Sequence, residues 1–309
     1  MAENFEELLA YAWYYKIEVK PGLFTPGRDR PNLALIRKLL RNVDVGGKDC
    51  LDLGTMETVI PILLKRGGGA KSVTAYDRFI QSDSWLAKIN SLKSIYGTDF
   101  DYVGGLRLED LKDRLDQKIG THFFDLVVFS GVLYHLINPM GYLGLVRSMC
   151  KIGGLFLFET RVQQDPREML IFNNAGRLGN GNTYYIATTA WVDYMLRMLG
   201  LMPLYAIYLN RFQDSKSSRL AVLCRSQVEP CPIDPKDEWV FQKYHKHAFT
   251  SELMVNWEEL NQTHSDIRVA PYDKQVLDLK GKSLYEGLKK FKPYRFPEED
   301  ARLLLSSKM

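Results

Sequence analysis

Apolar positions along this chain fall into short runs that alternate between two periods. Lys48 to Leu53 is a brief apolar run closed by an acidic residue and a glycine, and it reads as a buried strand. Ser72 to Asp77 is rich in β-branched residues and ends on an acid. Phe123 to Phe129 is wholly apolar, as a central parallel strand covered on both faces must be, and Gly154 to Glu159 is a further buried strand. Between these lie segments of helical spacing: Val59 to Lys65, Trp85 to Tyr96 and Met140 to Met149. Thr189 to Leu199 predicts a helix with Thr188 or Thr189 as N-cap and Gly200 as C-cap. Leu204 to Leu209 and Arg219 to Cys224 are strands joined as a hairpin by a polar Asp-Ser-Lys-Ser-Ser segment. This order argues for an α/β fold: an open, mostly parallel sheet with helices on both faces, closed by one antiparallel pair.

Two Pro/Gly-rich stretches divide the chain. Pro21 to Pro31 predicts a loop after a first helix, and Glu229 to Pro235 a linker. The expected organisation is an N-terminal helical lid segment over 1–45, a core over 46–228 and a C-terminal helical appendage over 229–309. Trp239, Tyr244, Phe249 and Trp257 would form the core of that appendage. The chain's 309 residues are enough for a full core, and 46% hydrophobic with 25% charged residues is ordinary for a globular protein. No apolar run approaches the roughly 18 to 20 residues of a membrane helix. The first residues are acidic, unlike a signal peptide's basic start. Cys50, Cys150, Cys224 and Cys231 are scattered without a Cys-x-x-Cys pair, so free thiols and a cytoplasmic location are expected.

A net charge of +4 is small for a nucleic-acid-binding chain. Basic residues cluster from Lys16 to Arg41 (with Arg28, Arg30, Arg37 and Lys38) and from Lys282 to Arg295, where Lys289, Lys290 and Lys292 lie. Solvated helix faces are the expectation for both, with an RNA-contacting patch as the alternative. His245-Lys246-His247 and His264 lack ligand-spaced partners, so no metal is expected. Gly176 to Asn182 reads as a loop over the substrate rather than a phosphate cradle.

In such a sheet ligands sit beyond the carboxyl ends of the strands. After the first strand comes Asp52-Leu53-Gly54-Thr55-Met56-Glu57, where Gly54 lets backbone approach a ligand and the next helix offers free N–H groups. Asp77-Arg78 ends the second strand, and a carboxylate there can accept hydrogen bonds from a ribose diol. A G-x-G-x-x-G turn for pyrophosphate is lacking, so a nucleoside without one fits better. The fourth strand runs through Ser130 and Gly131 into Val132-Leu133-Tyr134-His135-Leu136-Ile137-Asn138-Pro139.

These three segments resemble the class I S-adenosylmethionine-dependent methyltransferases, and are similar in particular to the branch containing the tRNA wobble-uridine carboxymethyltransferases. The resemblance covers roughly Trp13 to Arg225 and implies a Rossmann-like, seven-stranded sheet with its last strand antiparallel. It implies S-adenosylmethionine as cofactor: its methionine end over Asp52, Gly54 and Thr55, its ribose on Asp77 beside Arg78, its adenine near Gly105, Leu106 and Arg107, and its sulfonium near Ser130 and Tyr134. The family's second glycine falls at Thr58 here, so the turn must be made without it. The carboxymethylating branch has a lysine before Gly-Pro-Phe and a tryptophan-rich segment. This chain reads Pro21-Gly22-Leu23-Phe24-Thr25-Pro26-Gly27-Arg28 instead, which favours the ordinary cofactor.

Tyr134 and His135 are candidates for steering the methyl group and accepting a proton, or they organise the loop. Glu159 and Arg161, at and just beyond the fifth strand's end, face the crevice by position; Arg161 could hold a substrate carboxylate as a bidentate fork. Trp13-Tyr14-Tyr15 and Phe24 form either a lid or a packed helix. The first expectation is a methyltransferase acting on a small molecule, whether a thioether such as methionine or an oxygen or nitrogen nucleophile. Residues after Pro230 would close the pocket or form a homodimer contact. The alternatives are a tRNA-modifying enzyme and a non-catalytic nucleoside-binding regulator.

Overall fold

The computed structural model describes residues 5–78, 82–173, 183–209, 218–234, 236, 238–239 and 257–307. Seven strands carry the frame: β1 (Asp49–Leu53), β2 (Ser72–Asp77), β3 (Asp101–Gly104), β4 (Phe124–Ser130), β5 (Cys150–Gln163), β6 (Leu201–Tyr208) and β7 (Ser218–Ser226). They lie side by side as β6-β7-β5-β4-β1-β2-β3. Strands β1 to β5 pair in parallel, and β7 runs antiparallel to both its neighbours, β5 and β6. The expected mostly parallel sheet with a reversed last strand is the one observed. Leu277–Asp278 adds a short strand outside β6. A hairpin of Leu170–Phe172 and Tyr185–Thr188 hangs from the far end of β5.

Alternation along the strands decides which helix each side chain meets. Leu51, Leu53, Val127, Phe129, Phe156 and Phe158 share one core with α4 (Leu111–Ile119), α5 (Pro139–Arg147) and α6 (Thr189–Met198). Cys50, Leu126, Val128, Leu155 and Leu157 face the other way, onto α1 (Pro31–Leu40), α2 (Val59–Arg66) and α3 (Asp83–Tyr96). Both sets are apolar because both faces are covered, which is why the central strands read as unbroken apolar runs. The helices start where the sequence marks them. Thr188 Oγ1 accepts from the Trp191 N–H at 3.2 Å, and Asn138 Oδ1 accepts from the Gly141 N–H at 3.0 Å.

The expected loop at Pro21 is the turn of a small hairpin, Glu18–Lys20 with Leu23–Phe24. The C-terminal residues return to this N-terminal region. Glu18 N donates to Leu303 O at 2.9 Å, Leu303 N to Lys16 O at 3.1 Å and Arg30 N to Ala301 O at 2.7 Å. Helix Leu284–Lys289 packs beside α6, where the Asp193 carboxylate accepts from the Leu284 N–H at 3.2 Å and from Arg197 Nε at 3.0 Å.

This closure corrects one expectation. Arg37 and Lys38 do not lie on a solvated helix face: they are 5% and 9% exposed. Arg37 donates to the carbonyls of Glu299 and Arg302, Lys38 pairs with Asp273 at 2.6 Å, and Arg41 pairs with Asp300. Burial lowers the Arg37 pKa, with Asp300 opposing. Lys282, Lys289, Lys290, Lys292 and Arg295, by contrast, are exposed as expected. Trp239 is 65% exposed, so it is not core. Tyr244, Phe249, His245-Lys246-His247 and Gly176 to Asn182 lie outside the described residues, and His264 pairs by backbone with Ile152. Cys50, Cys150 and Cys224 are buried free thiols. Among the described residues no helix is long and apolar enough to cross a membrane, and no group of side chains could hold a metal ion.

Candidate active site

Parallel register brings the ends of β5, β4, β1, β2 and β3 to one edge in that order. Ser130 stands opposite Glu159, Leu53 opposite both Phe129 and Tyr76, and Asp77 opposite Gly104. Every chemically marked strand end in the sequence therefore opens on the same edge.

At its centre, the chain leaves β1 through Gly54, at φ +79°, where a Cβ would lie 2.3 Å from Val132 Cγ2. Only glycine permits both that conformation and that approach. The N–H groups of Gly54 and Thr55 donate to Tyr76 O at 2.9 and 3.1 Å, binding the loop to β2. Thr58, at the position of the missing glycine, nevertheless takes the left-handed conformation, with φ 57° and ψ 28°. Met56, at φ 45°, does the same. Behind this loop Asp52 is buried, and neither of its carboxylate oxygens has a hydrogen-bond partner. Burial pushes its pKa up to about 7, against the pull of the nearby Thr55 hydroxyl and with some help from Asp77.

On the β2–β3 side, Asp77 Oδ2 accepts from the Met56 N–H at 3.1 Å. The Tyr76 hydroxyl donates to Leu106 O at 2.8 Å, and Gly105 N donates to Asp77 O at 3.1 Å. These bonds fix the Gly105–Arg107 segment beside Asp77; Arg107 itself is exposed and Leu106 half-buried.

The β4–β5 side holds a second cluster. Tyr134 lies in the short helix Leu133–His135, with its ring 4.3 Å from that of His135. Glu159 is wholly buried. Its Oε1 lies 2.7 Å from Arg219 Nε, and its Oε2 accepts from Arg219 Nη2 at 3.1 Å and from Ser130 Oγ at 3.0 Å. Arg219 Nη1 donates to the Tyr134 hydroxyl at 2.8 Å. The guanidinium carbons of Arg161 and Arg219 lie 5.7 and 5.4 Å from the Tyr134 ring centre. Burial opposes the charge on Arg219, but Glu159 and Tyr134 hold its pKa above the ordinary arginine value. Burial likewise raises the Tyr134 pKa, with Arg219 opposing, so its hydroxyl keeps its proton.

The sequence candidates thus form two groups. Asp52, Gly54, Thr55, Asp77, Arg78, Leu106 and Arg107 line the β1–β3 half; Ser130, Tyr134, His135, Glu159 and Arg161 line the other. Sequence reading missed Arg219, whose signal was a cation just ahead of the apolar run Leu220 to Cys224. It also missed Glu57 and Lys88, a buried pair beneath the loop, 3.7 Å apart.

This arrangement suits S-adenosylmethionine. The buried carboxylate of Asp52 is of a kind that can receive an ammonium group, and a carboxylate at the end of β2, as at Asp77, is of a kind that can accept from a diol. Comparison with known proteins agrees. A family model described as a methyltransferase domain matches residues 27–198. The chain belongs to that family, with the fold and cofactor of the class I S-adenosylmethionine-dependent methyltransferases. Among curated relatives, the tRNA U34 carboxymethyltransferase of Pseudomonas paraeruginosa is 24% identical over 203 residues, 63% of this chain and 58% of that protein. The Desulforapulum autotrophicum protein of the same name is 24% identical over 137 residues, 44% of this chain and 42% of the relative. The chain therefore spans well under two thirds of these relatives. Among solved structures, the N-terminal domain of EvdMO1, determined in the presence of SAH and D-fucose, is similar with a TM-score of 0.50 and 14% identity. That match covers 73% of this chain and 98% of that one. The 1,6-didemethyltoxoflavin-N1-methyltransferase of Burkholderia thailandensis gives 0.45 and 19%, over 64% and 77% of the two chains.

Proposed function

We propose that the protein transfers the methyl group of S-adenosylmethionine to a small-molecule nucleophile that carries a carboxylate. The observation that supports the small-molecule reading is the fate of four of the N-terminal basic residues. Arg37, Lys38 and Arg41 are tied to the chain's own C-terminal residues, and Arg30 Nε donates to Tyr14 O at 2.8 Å. Cations held this way are withdrawn from phosphate contacts.

When bound, S-adenosylmethionine supplies an electrophilic methyl group on sulfur. The chain's own residues supply binding and alignment, which is most of what an in-line displacement asks of an enzyme. Asp52 receives the ammonium end and Asp77 the ribose. Arg161, its guanidinium carbon 5.7 Å from the Tyr134 ring centre, is the group that would hold a substrate carboxylate as a bidentate fork. Glu159, engaged by Arg219 and Ser130, orients rather than abstracts a proton. His135 takes the proton when the nucleophile is oxygen or nitrogen; a thioether needs no base. In this reading residues 1–45 form the lid of the 46–228 core, residues 229–309 hold that lid in place, and the location is cytoplasmic.

A second reading is transfer of a methyl or carboxymethyl group to a tRNA wobble uridine, following the curated relatives' name. Its support is the exposed cluster from Lys282 to Arg295. Incubating the protein with methyl-labelled cofactor and either total tRNA or a metabolite extract separates the two. Label confined to the metabolite fraction is the expected result, and label in tRNA overturns it.

A further inference from the structure

Glu57 lies between the two left-handed residues of the cofactor loop, Met56 and Thr58. Such a conformation is unfavourable for any residue with a Cβ and more so for a β-branched one. The Thr58 N–H closes the turn on Thr55 O at 2.9 Å, but its side chain adds nothing, since its buried hydroxyl makes no hydrogen bond. Glu57 is anchored on both sides. Its Oε1 accepts from the Tyr14 N–H at 2.7 Å and lies 3.7 Å from Lys88 Nζ, with both side chains buried. Lys88 in turn donates to Ala12 O at 2.8 Å, and its ammonium sits 3.6 Å from the Trp85 ring centre and 4.6 Å from that of Trp13. A buried ammonium with a carboxylate, a carbonyl and two aromatic faces is well compensated. The same contacts therefore grip the cofactor loop from below and the Ala12–Tyr15 strap from above.

We propose that Glu57, braced by Lys88, is a positioning residue for the cofactor. Its buried carboxylate holds Met56 and Thr58 left-handed in place of the glycine that the related turn uses, and so keeps the Met56 N–H on Asp77. It fixes the Tyr14 strap in the same act. This rests on S-adenosylmethionine being the cofactor but not on the identity of the substrate.

The test is calorimetric binding of S-adenosylhomocysteine to the full chain. Glu57→Ala is expected to bind about 10-fold more weakly, the scale of one unsupported strained residue. Glu57→Gln keeps an acceptor for the Tyr14 N–H and should stay within about threefold of wild type. Adding Thr58→Gly to Glu57→Ala removes the strain at that position and should recover most of the loss, which a merely structural carboxylate would not allow. Equal binding by Glu57→Ala and wild type, or no recovery in the double variant, overturns the proposal. If Glu57→Ala does not fold, Thr58→Gly alone decides: a melting temperature at or above wild type with unchanged binding supports a strained, held turn, and a lower one refutes it. Wild-type protein that binds no S-adenosylhomocysteine overturns the cofactor assignment together with the proposal.

Discussion

Replacing Asp52 by Asn should stabilise the ligand-free protein while weakening its hold on cofactor. The carboxylate is buried, neither oxygen has a hydrogen-bond partner, and its pKa is pushed from 3.8 up to about 7. Below pH ~4 the folded and unfolded chains both carry the proton. Between there and about 7 only the folded chain keeps it, so wild-type stability falls as pH rises through that window. A rise of about three pH units corresponds to ~4 kcal/mol, fully expressed above pH 7. Asp52→Asn escapes that penalty, since an amide carries no charge and Thr55 can donate to it. For a chain of this size the variant should melt about 5–10 °C higher than wild type at pH 8, and nearly together with it at pH 4. Thermal and urea melts at the two pH values, without ligand, measure this. Calorimetry with S-adenosylhomocysteine should show the opposite sign, with binding at pH 8 weakened about 10-fold or more by loss of the ammonium's partner. A variant less stable than wild type at pH 8, or a stability difference that does not change between pH 4 and 8, would refute the reasoning.

Three further perturbations follow from named contacts. Arg219→Leu strands the buried Glu159 carboxylate and should cost about 3–5 kcal/mol in urea unfolding; Arg219→Leu with Glu159→Leu should regain most of it, and additive losses would show that the pair is not coupled. Arg147, fully buried, donates to Leu199 O, Cys150 O and Gln227 O at 2.9, 3.0 and 2.7 Å, so Arg147→Met leaves two buried carbonyls and one half-buried carbonyl without those donors. The expected loss is at least about 3 kcal/mol, read by the same unfolding curve, with no effect on cofactor affinity in the protein that remains folded. Asp77→Ala should weaken S-adenosylhomocysteine binding about 10- to 100-fold; binding within threefold of wild type would remove Asp77 from the ribose site.

The sheet was legible because its information is local. Runs such as Phe123 to Phe129 carry their own period, and acids or glycines mark the strand ends, so Asp52, Gly54, Asp77 and Tyr134 could be placed at one edge of the sheet without coordinates. What escaped depends on register between distant segments. Arg219 reaches Glu159 only because β7 inserts between β5 and β6, which places Arg219 opposite Arg161. Glu57 and Lys88 are separated by an entire βα unit and look like ordinary surface charges in sequence. Arg37 reads as part of a basic helix face, yet its partners are carbonyls more than 260 residues further along. A polar side chain's fate is set by what the fold brings to it, and neither charge nor period records that.

The interlock between residues 14–30 and 298–305 has a consequence for how the protein is made. A ribosome delivers the strap and the cofactor loop early, but the bonds from Lys16, Glu18 and Arg30 to Ala301 and Leu303 can form only after residue 303 has emerged. These contacts join stretches near opposite ends of the sequence, the most entropically demanding kind to close, so they should form late in folding as well. The sheet can assemble during synthesis; the fastening of the N-terminal hairpin comes after it. A nascent chain stalled before residue 298 would then have its central strands in place and its strap unfastened.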